Sequence, residues 1–386
     1  MAQIGRIVVV GGGIGGLSTA IALDKAGFLV DVFEQSPALR EVGAGVGLWS
    51  NAMASLDQLG IGAELRRDGL PLRVVAGANP RGTTLSWLAL DDWGPEFADA
   101  ACFIVLRPTL LAALARRLPA ARVHTDRRIE RIAPGDAAVT LHFSDGRSER
   151  ADLVIGADGL HSVARPHVVG VSALRYSGQT CFRGVARVAP SEPGVLREVQ
   201  GRGQRGSVCP VAADTVYWWT AFNAPADRIL PAHERKAALL ARYADWPFGL
   251  PQAIAATPDD AILQNDLVDR APVARYVAGR VALIGDAAHP TTPNLGQGAN
   301  MAIDDAVALA RALRDEPTPA AALARYERER LPRTRQIVQR SWSFGRLCRW
   351  QSPPAVALRE AMLRMTPPSV MRNMLRWQIL EGVGAL

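Results

Sequence analysis
The chain has 386 residues, of which 48% are apolar and 21% charged, with 35 glycines and 26 prolines. This length holds one large or two closely associated domains with ample core, which excludes a disordered chain, a collagen-like repeat and a stapled mini-protein. The formal charge of +7 is almost wholly arginine, since Lys25 and Lys236 are the only lysines among 44 basic residues. Such a balance usually reflects base composition, with phosphates, carboxylates or a membrane surface as the alternative partners. Cys102, Cys181, Cys209 and Cys348 form no close pair, which fits a reducing, cytoplasmic setting. No window approaches the roughly 18 consecutive apolar residues of a membrane span.

Taken in chain order, Arg6-Ile-Val-Val-Val10 reads as a buried strand running directly into Gly11-Gly-Gly13-Ile14-Gly15-Gly16 and a helix that ends near Ala26. Phe28 to Glu34 is a second strand, so the first 34 residues form one βαβ unit. Gly11 permits the tight turn, Gly13 lets a pyrophosphate approach the backbone, and Gly16 lets the helix pack on the strand. The helix N-terminus offers free N–H groups to phosphate. Glu34 stands where a ribose acceptor is required. A dinucleotide, FAD or NAD, is the implied ligand. A helix from Leu106 to Leu118 and strands between Arg127 and Asp152 follow, ending at Leu153-Val-Ile-Gly156. From Ser172 to Asp269 the character changes: Ser207 to Val211 and Thr215 to Phe222 read as antiparallel strands joined at Ala212-Ala213-Asp214, with aromatics in alternation. The strand Arg280 to Ile284 and a helix from Ala299 to Leu313 return to the first pattern.

Two further turns place an aspartate at a strand's C-terminal end, where open α/β sheets bind ligands: Gly156-Ala-Asp158-Gly159 and Gly285-Asp286-Ala-Ala-His289. With Gly11 to Gly16, in this order and at these separations, they resemble the group A, p-hydroxybenzoate hydroxylase-like flavoprotein aromatic monooxygenases. The branch nearest in motif is that of urate hydroxylase, 6-hydroxynicotinate hydroxylase and zeaxanthin epoxidase. The resemblance covers residues from about 5 to about 340 and implies an α/β fold: a Rossmann-like FAD-binding domain (1–72, 98–171, 272–340) interleaved with a substrate domain on a mainly antiparallel sheet (73–97, 172–271), and a C-terminal helical segment (341–386).

Carried over residue by residue, the resemblance places non-covalent FAD on Gly11, Gly13, Ile14, Gly15, Gly16 and Glu34. It puts Val46 beside the flavin ring in the loop Glu41 to Asn51, where this chain has Gly43 in place of an arginine. Arg107 is the implied contact of the ribityl and phosphate oxygens, Asp158 serves FAD and the nicotinamide cofactor, and Asp286 accepts from the ribityl hydroxyls. Pro293-Asn294-Leu-Gly296-Gln297-Gly298-Ala299-Asn300 aims backbone N–H groups at the pyrimidine edge, where a reduced flavin gathers negative charge. The implied reaction is hydroxylation of a small, oxygenated, anionic aromatic or heteroaromatic substrate by a C4a-hydroperoxyflavin, with NADPH or NADH as reductant and O2 as oxidant. No Ser/His/Asp triad or metal cluster is called for, because the cofactor carries the chemistry; His289 reads as local structure.

Arg183, Arg205, Tyr217 and Trp219 are expected to line the substrate cavity, with Arg205, Tyr217, Pro293 and Asn294 nearest the chemistry. Asn294 stands where urate hydroxylase carries an acidic group, and an amide accepts no proton. Arg183 and Arg205 as ion-pair partners and Tyr217 as a core aromatic are the competing readings. Two other functions stay open: a flavin-dependent epoxidase or hydroxylase of a larger polyene, quinone or quinolone-like substrate, and a flavin-binding regulatory protein without hydroxylation. The tail after Ser341, with Trp, Met and Arg interleaved, packs on the protein or a second subunit, or lies on a membrane surface. Nucleic acid has no case, and a monomer and a homodimer are equally compatible with the sequence.

Overall fold
A computed structural model describes residues 4–39, 44–90 and 102–380. Glu41, Val42 and Gly43, and the expected boundary at 97/98, lie outside the described residues. Two sheets organise the chain. The first has six strands in the order Val277–Ala278, Val281–Leu283, Leu153–Gly156, Ile7–Val10, Val30–Phe33, Val123–His124. All its pairings are parallel except that of the edge strand Val277–Ala278. Ile7 to Val10 is buried throughout, as a strand covered on both faces must be, which is why its sequence runs apolar without alternation. The helix Ile14–Lys25 is buried from Leu17 to Leu23 and packs against Gly298–Asp315, itself buried almost all round.

The second sheet has seven strands in the order Leu263–Asp269, Arg175–Ala186, Thr215–Asn223, Gln204–Ala212, Val195–Gln200, Val74–Ala78, Thr84–Ala89. Only the pairing of Val195–Gln200 with Val74–Ala78 is parallel. Alternation along Thr215–Asn223 divides the side chains between two faces. Val216 and Trp218 point to one face and pack with Leu239, Tyr243, Trp246 and Leu250 from the helices Ala232–Tyr243 and Leu250–Ala256 and the segment beyond. The Trp218 Nε1–H donates to Thr257 Oγ1 at 2.8 Å. Tyr217 and Trp219 point to the other face. A small antiparallel sheet of Gly45–Leu48, Cys102–Leu106 and Pro71–Leu72 abuts that face: a Cβ on Gly45 would lie 2.3 Å from Tyr217 Cδ1. Tyr217 thus joins the two halves of the molecule.

The C-terminal region departs from expectation at one point. A single helix, Pro319–Cys348, runs through residue 341, so the tail begins only after Cys348, with the helices Pro353–Met365 and Pro368–Leu380. Thr318 starts the long helix by accepting from the Ala321 N–H at 3.2 Å, and Pro319 follows at its first position, where no intrahelical N–H is lost.

Candidate flavin and substrate site
The glycine turn is built by close approach. Gly11 has φ +105°, and a Cβ there would sit 2.5 Å from the Ala157 carbonyl oxygen. At Gly16 a Cβ would sit 1.9 Å from the Gly11 carbonyl oxygen, whereas at Gly13 it would meet nothing within 4 Å. Gly11 and Gly16 are therefore demanded by the protein itself, and Gly13 faces open space before the N-terminus of the helix Ile14–Lys25. Gly15 faces Ala302 and Ile284 instead, a packing position between two helices. Glu34, just beyond Val30–Phe33, accepts from the Gly12 N–H at 2.7 Å and the Ser36 N–H at 2.8 Å, which fixes its carboxylate beside the turn.

Asp158 lies against the same turn. Its Oδ2 accepts from the Val163 N–H at 2.7 Å, while Oδ1 is buried with no partner among the described residues. Burial pushes its carboxyl upward, partly offset by those backbone bonds and by Ser162. Asp286 is exposed on the short helix Gly285–Ala288, at the C-terminal end of Val281–Leu283. Arg107 opens the helix Arg107–Ala115 and its N–H donates to the Ala44 carbonyl at 2.8 Å. Val46 lies in the small sheet opposite Val105.

The loop 293–300 is held from both sides. Asn300 is fully buried, and its side chain accepts from the Trp49 N–H and donates to the Gly47 and Gly296 carbonyls, each at 2.8 Å. Its amide is thus saturated by protein, and what it leaves for a ligand is main chain: residues 298–300 open the helix and have no intrahelical acceptor for their N–H groups. Gln297 Nε2 and Trp49 Nε1 are buried beside this loop with no partner among the described residues, and a Cβ on Gly296 would lie 3.2 Å from that Trp49 nitrogen.

Behind the loop lies a buried charge cluster. Asp304 accepts from Asn51 and Ser55, both at 2.8 Å. Asp305 accepts from Arg330 Nε at 2.7 Å and from the Gly285 N–H at 3.0 Å, with His289 Nε2 2.5 Å away. Burial raises the Asp305 carboxyl, but His289 and Arg330 outweigh it and hold the group at about 2. For Asp304 burial prevails and the carboxyl is raised. His289 is therefore part of the structural support of the Gly285 turn.

On the sheet's inner face, Arg183 is paired in register with Trp219, and Arg205 with Ala221. Arg205 is 2% exposed. One guanidinium nitrogen donates to Asn294 Oδ1 and another lies 3.6 Å from Glu198 Oε1. Asn294 in turn donates to Thr292 Oγ1 and the Ser341 carbonyl, both at 2.9 Å, while Pro293 is exposed at the start of the turn. Arg183 differs: it donates to Asn265 Oδ1, its Nε is buried without a partner, and no carboxylate among the described residues pairs with it. Tyr217 is 9% exposed, and burial raises its phenol far above the usual range.

Arg183, Arg205, Tyr217 and Trp219 share one face of the sheet and Asn294 meets it from the turn at residue 293; Glu198, Trp49 and Ser341, which the sequence did not single out, join them. Trp49 lies within the loop Glu41 to Asn51; the partners of Arg205 and Asn294 come from separate segments and leave no local signal.

A glycine turn that admits a ligand only at Gly13, an orphaned carboxylate oxygen on Asp158 and a free helix N-terminus at residue 298 define a dinucleotide-binding flavoprotein, and the residues present fit FAD. Residues 5–341 match the FAD binding domain family, and the chain belongs to it, as a group A FAD-dependent monooxygenase. Aurachin C monooxygenase/isomerase of Stigmatella aurantiaca is 36% identical, over 93% of this chain and 94% of that protein. The 2-heptyl-3-hydroxy-4(1H)-quinolone synthase of Pseudomonas aeruginosa is 33% identical, over 98% and 99%. The crystal structure of Klebsiella pneumoniae HpxO with FAD and uric acid superposes with a TM-score of 0.91 at 31% identity, covering 98% of this chain and 97% of the other.

Proposed function
We propose that the protein hydroxylates a flat heteroaromatic ring that carries an oxygen next to the carbon attacked, using NADPH or NADH and O2. The observation that carries this reading is Arg183: a guanidinium with no carboxylate partner among the described residues, beside Trp219 and near the Tyr217 phenol, on the face turned to the flavin half. Arg205, the other basic candidate, already has Glu198 and Asn294. The expected anionic character of the substrate is therefore assigned to a ring oxygen held as an oxyanion by Arg183 and Tyr217, the form whose electron density makes the neighbouring carbon nucleophilic toward an electrophilic oxygen. Bound FAD, reduced by the nicotinamide cofactor, supplies an electrophilic oxygen atom from O2, the second atom leaving as water. The chain's own part is to hold the ring oxygen through Arg183 and Tyr217, to exclude water with Trp219 and Trp49, and to face reduced flavin with the N–H groups of residues 298–300.

A quinolone-like substrate is favoured within this class. Tyr217 belongs to a buried apolar cluster with Cys209, Val211, Leu88, Leu90 and Ile379, surroundings that suit an alkyl-bearing ring better than a polar purine. The aurachin and heptyl-quinolone names of two relatives agree with this. The test is oxidation of NADH and of NADPH by the purified holoenzyme with 4-quinolones, hydroxypyridines, hydroxybenzoates and purines, with product measured against released peroxide. Stimulation by quinolones with little peroxide is expected. Stimulation by hydroxybenzoates alone would return the anchor to a carboxylate, and no stimulation by any compound would favour the regulatory reading.

A further inference from the structure
The two C-terminal helices have unlike faces. Inward, Met371, Leu375 and Ile379 pack into the cluster of Trp49, Cys209 and Tyr217, and Gln378 Nε2 donates to the Leu295 carbonyl at 2.7 Å. Outward, Pro354, Ala357, Leu358, Ala361, Met362 and Met365 recur at helical spacing on the exposed side of Pro353–Met365. The stripe continues over Pro367 and Pro368 to Val370 and Met374. Among the described residues, five of the ten large apolar side chains left exposed lie between 358 and 374, with Met365 at 80% and Met374 at 63%. Singly scattered exposed side chains need no explanation; a contiguous stripe does.

Charge identifies what covers it. Residues 353–380 contain four arginines against one glutamate; Arg359 is buried and donates inward to the Leu347 and Gly201 carbonyls, which leaves Arg364 exposed and Arg372 and Arg376 half-buried. That glutamate, Glu360, is half-buried and occupied by Asn79 at 3.2 Å and Arg364 at 3.7 Å. Arg364 stands exposed between Met362 and Met365. At the far edge Trp377 lies under Arg340, whose Cζ is 3.5 Å from the ring centroid, with Arg333 at 5.5 Å. A second copy of the chain on this stripe would bring arginine against arginine. Methionine and leucine rimmed by arginine and tryptophan, with hardly any acid, match the anionic headgroup and acyl boundary of a bilayer.

We propose that the exposed face of the helices Pro353–Met365 and Pro368–Leu380 docks peripherally on an anionic bilayer surface. The inference rests on exposure, spacing and charge and is independent of the substrate reading. Its position matters because the helix Pro368–Leu380 carries both kinds of side chain, Val370 and Met374 exposed and Met371, Leu375 and Ile379 packed into the Tyr217 cluster, so the docking face lies next to that cluster. The test is co-sedimentation of the full-length holoenzyme with vesicles of phosphatidylcholine alone and of phosphatidylcholine and phosphatidylglycerol in equal parts. Binding to the anionic vesicles is expected, reduced at high salt and weakened about tenfold or more in M362E/M365E. Both positions are exposed, so that variant should retain FAD and its thermal midpoint, which separates lost docking from lost folding; M374E provides a second, single substitution. Absence of binding to the anionic vesicles overturns the proposal. So does binding that neither variant weakens, or a homodimer that M362E/M365E splits while vesicles bind neither form.

Discussion

The glycine turn and the inner face of the seven-stranded sheet offer groups to an anion by opposite means, main chain at the turn and, on the proposed reading, side chains on the sheet. At Gly11 to Gly16 the recognising groups are backbone N–H groups, and the residues are dictated by sterics within six positions. On the sheet, the proposed recognition is by side chains whose availability depends on partners far along the chain: Arg205 lies 3.6 Å from a carboxylate oxygen and Arg183 has no carboxylate partner among the described residues. Two arginines on the same face thus do different work. A site made of main chain is readable from its own residues; a site made of charges is readable only once every neighbouring charge is placed.

This contrast can be broken first at the glycines. Gly16→Ala puts a methyl 1.9 Å from a backbone oxygen, and we expect a loss of more than about 3 kcal/mol with FAD no longer retained on desalting. Gly13→Ala meets nothing, so its thermal midpoint should hold while FAD affinity falls about tenfold. Equal behaviour of the two variants would refute the steric distinction. Next, Arg330→Met removes the guanidinium that lies 2.7 Å from Asp305 and 3.9 Å from Asp304, leaving His289 to face Asp305, and should cost about 3–5 kcal/mol in denaturant unfolding.

On the sheet, Arg183→Ala should lower substrate-dependent kcat/KM about 100-fold with an unchanged melting temperature. Arg205→Ala should instead lower the melting temperature, because Glu198 and Asn294 lose their shared partner. A reversed pattern would exchange the roles of the two arginines. The smallest effect is in acid. Asp305 is held near 2, below its ordinary 3.8, so its ionised form contributes about 2 kcal/mol that is complete above pH about 4 and lost as pH falls through about 2. Asp304, raised by burial, acts in the opposite sense, because its protonation on acidification relieves a cost. Asp305→Asn should therefore flatten the acid limb of the stability profile, followed by unfolding at constant salt.

The βαβ unit, the antiparallel hairpin on either side of Ala213-Asp214 and the aspartates at strand ends were legible because each follows from local rules of periodicity and turn geometry. The support of the flavin loop was not. Asn51 and Ser55 reach Asp304, and Asn300 reaches Gly47 and Trp49, across about 250 residues of chain, where no spacing rule operates. The C-terminal segment set at 341 by composition does not coincide with an element boundary, because nothing in the sequence stops the helix Pro319–Cys348 before Cys348.

That uninterrupted helix carries Gly345 to the substrate side, where a Cβ would fall 2.4 Å from the Asn294 amide nitrogen. Position 294 therefore cannot be varied alone. A bulkier residue at 345 displaces the amide from Arg205, and a larger side chain at 294 needs the space that the glycine leaves, so the two positions should show strong epistasis in any attempt to redirect substrate choice. Libraries that vary the visible sheet residues one at a time will miss the pair; those that vary 294 and 345 together sample the combinations the backbone permits.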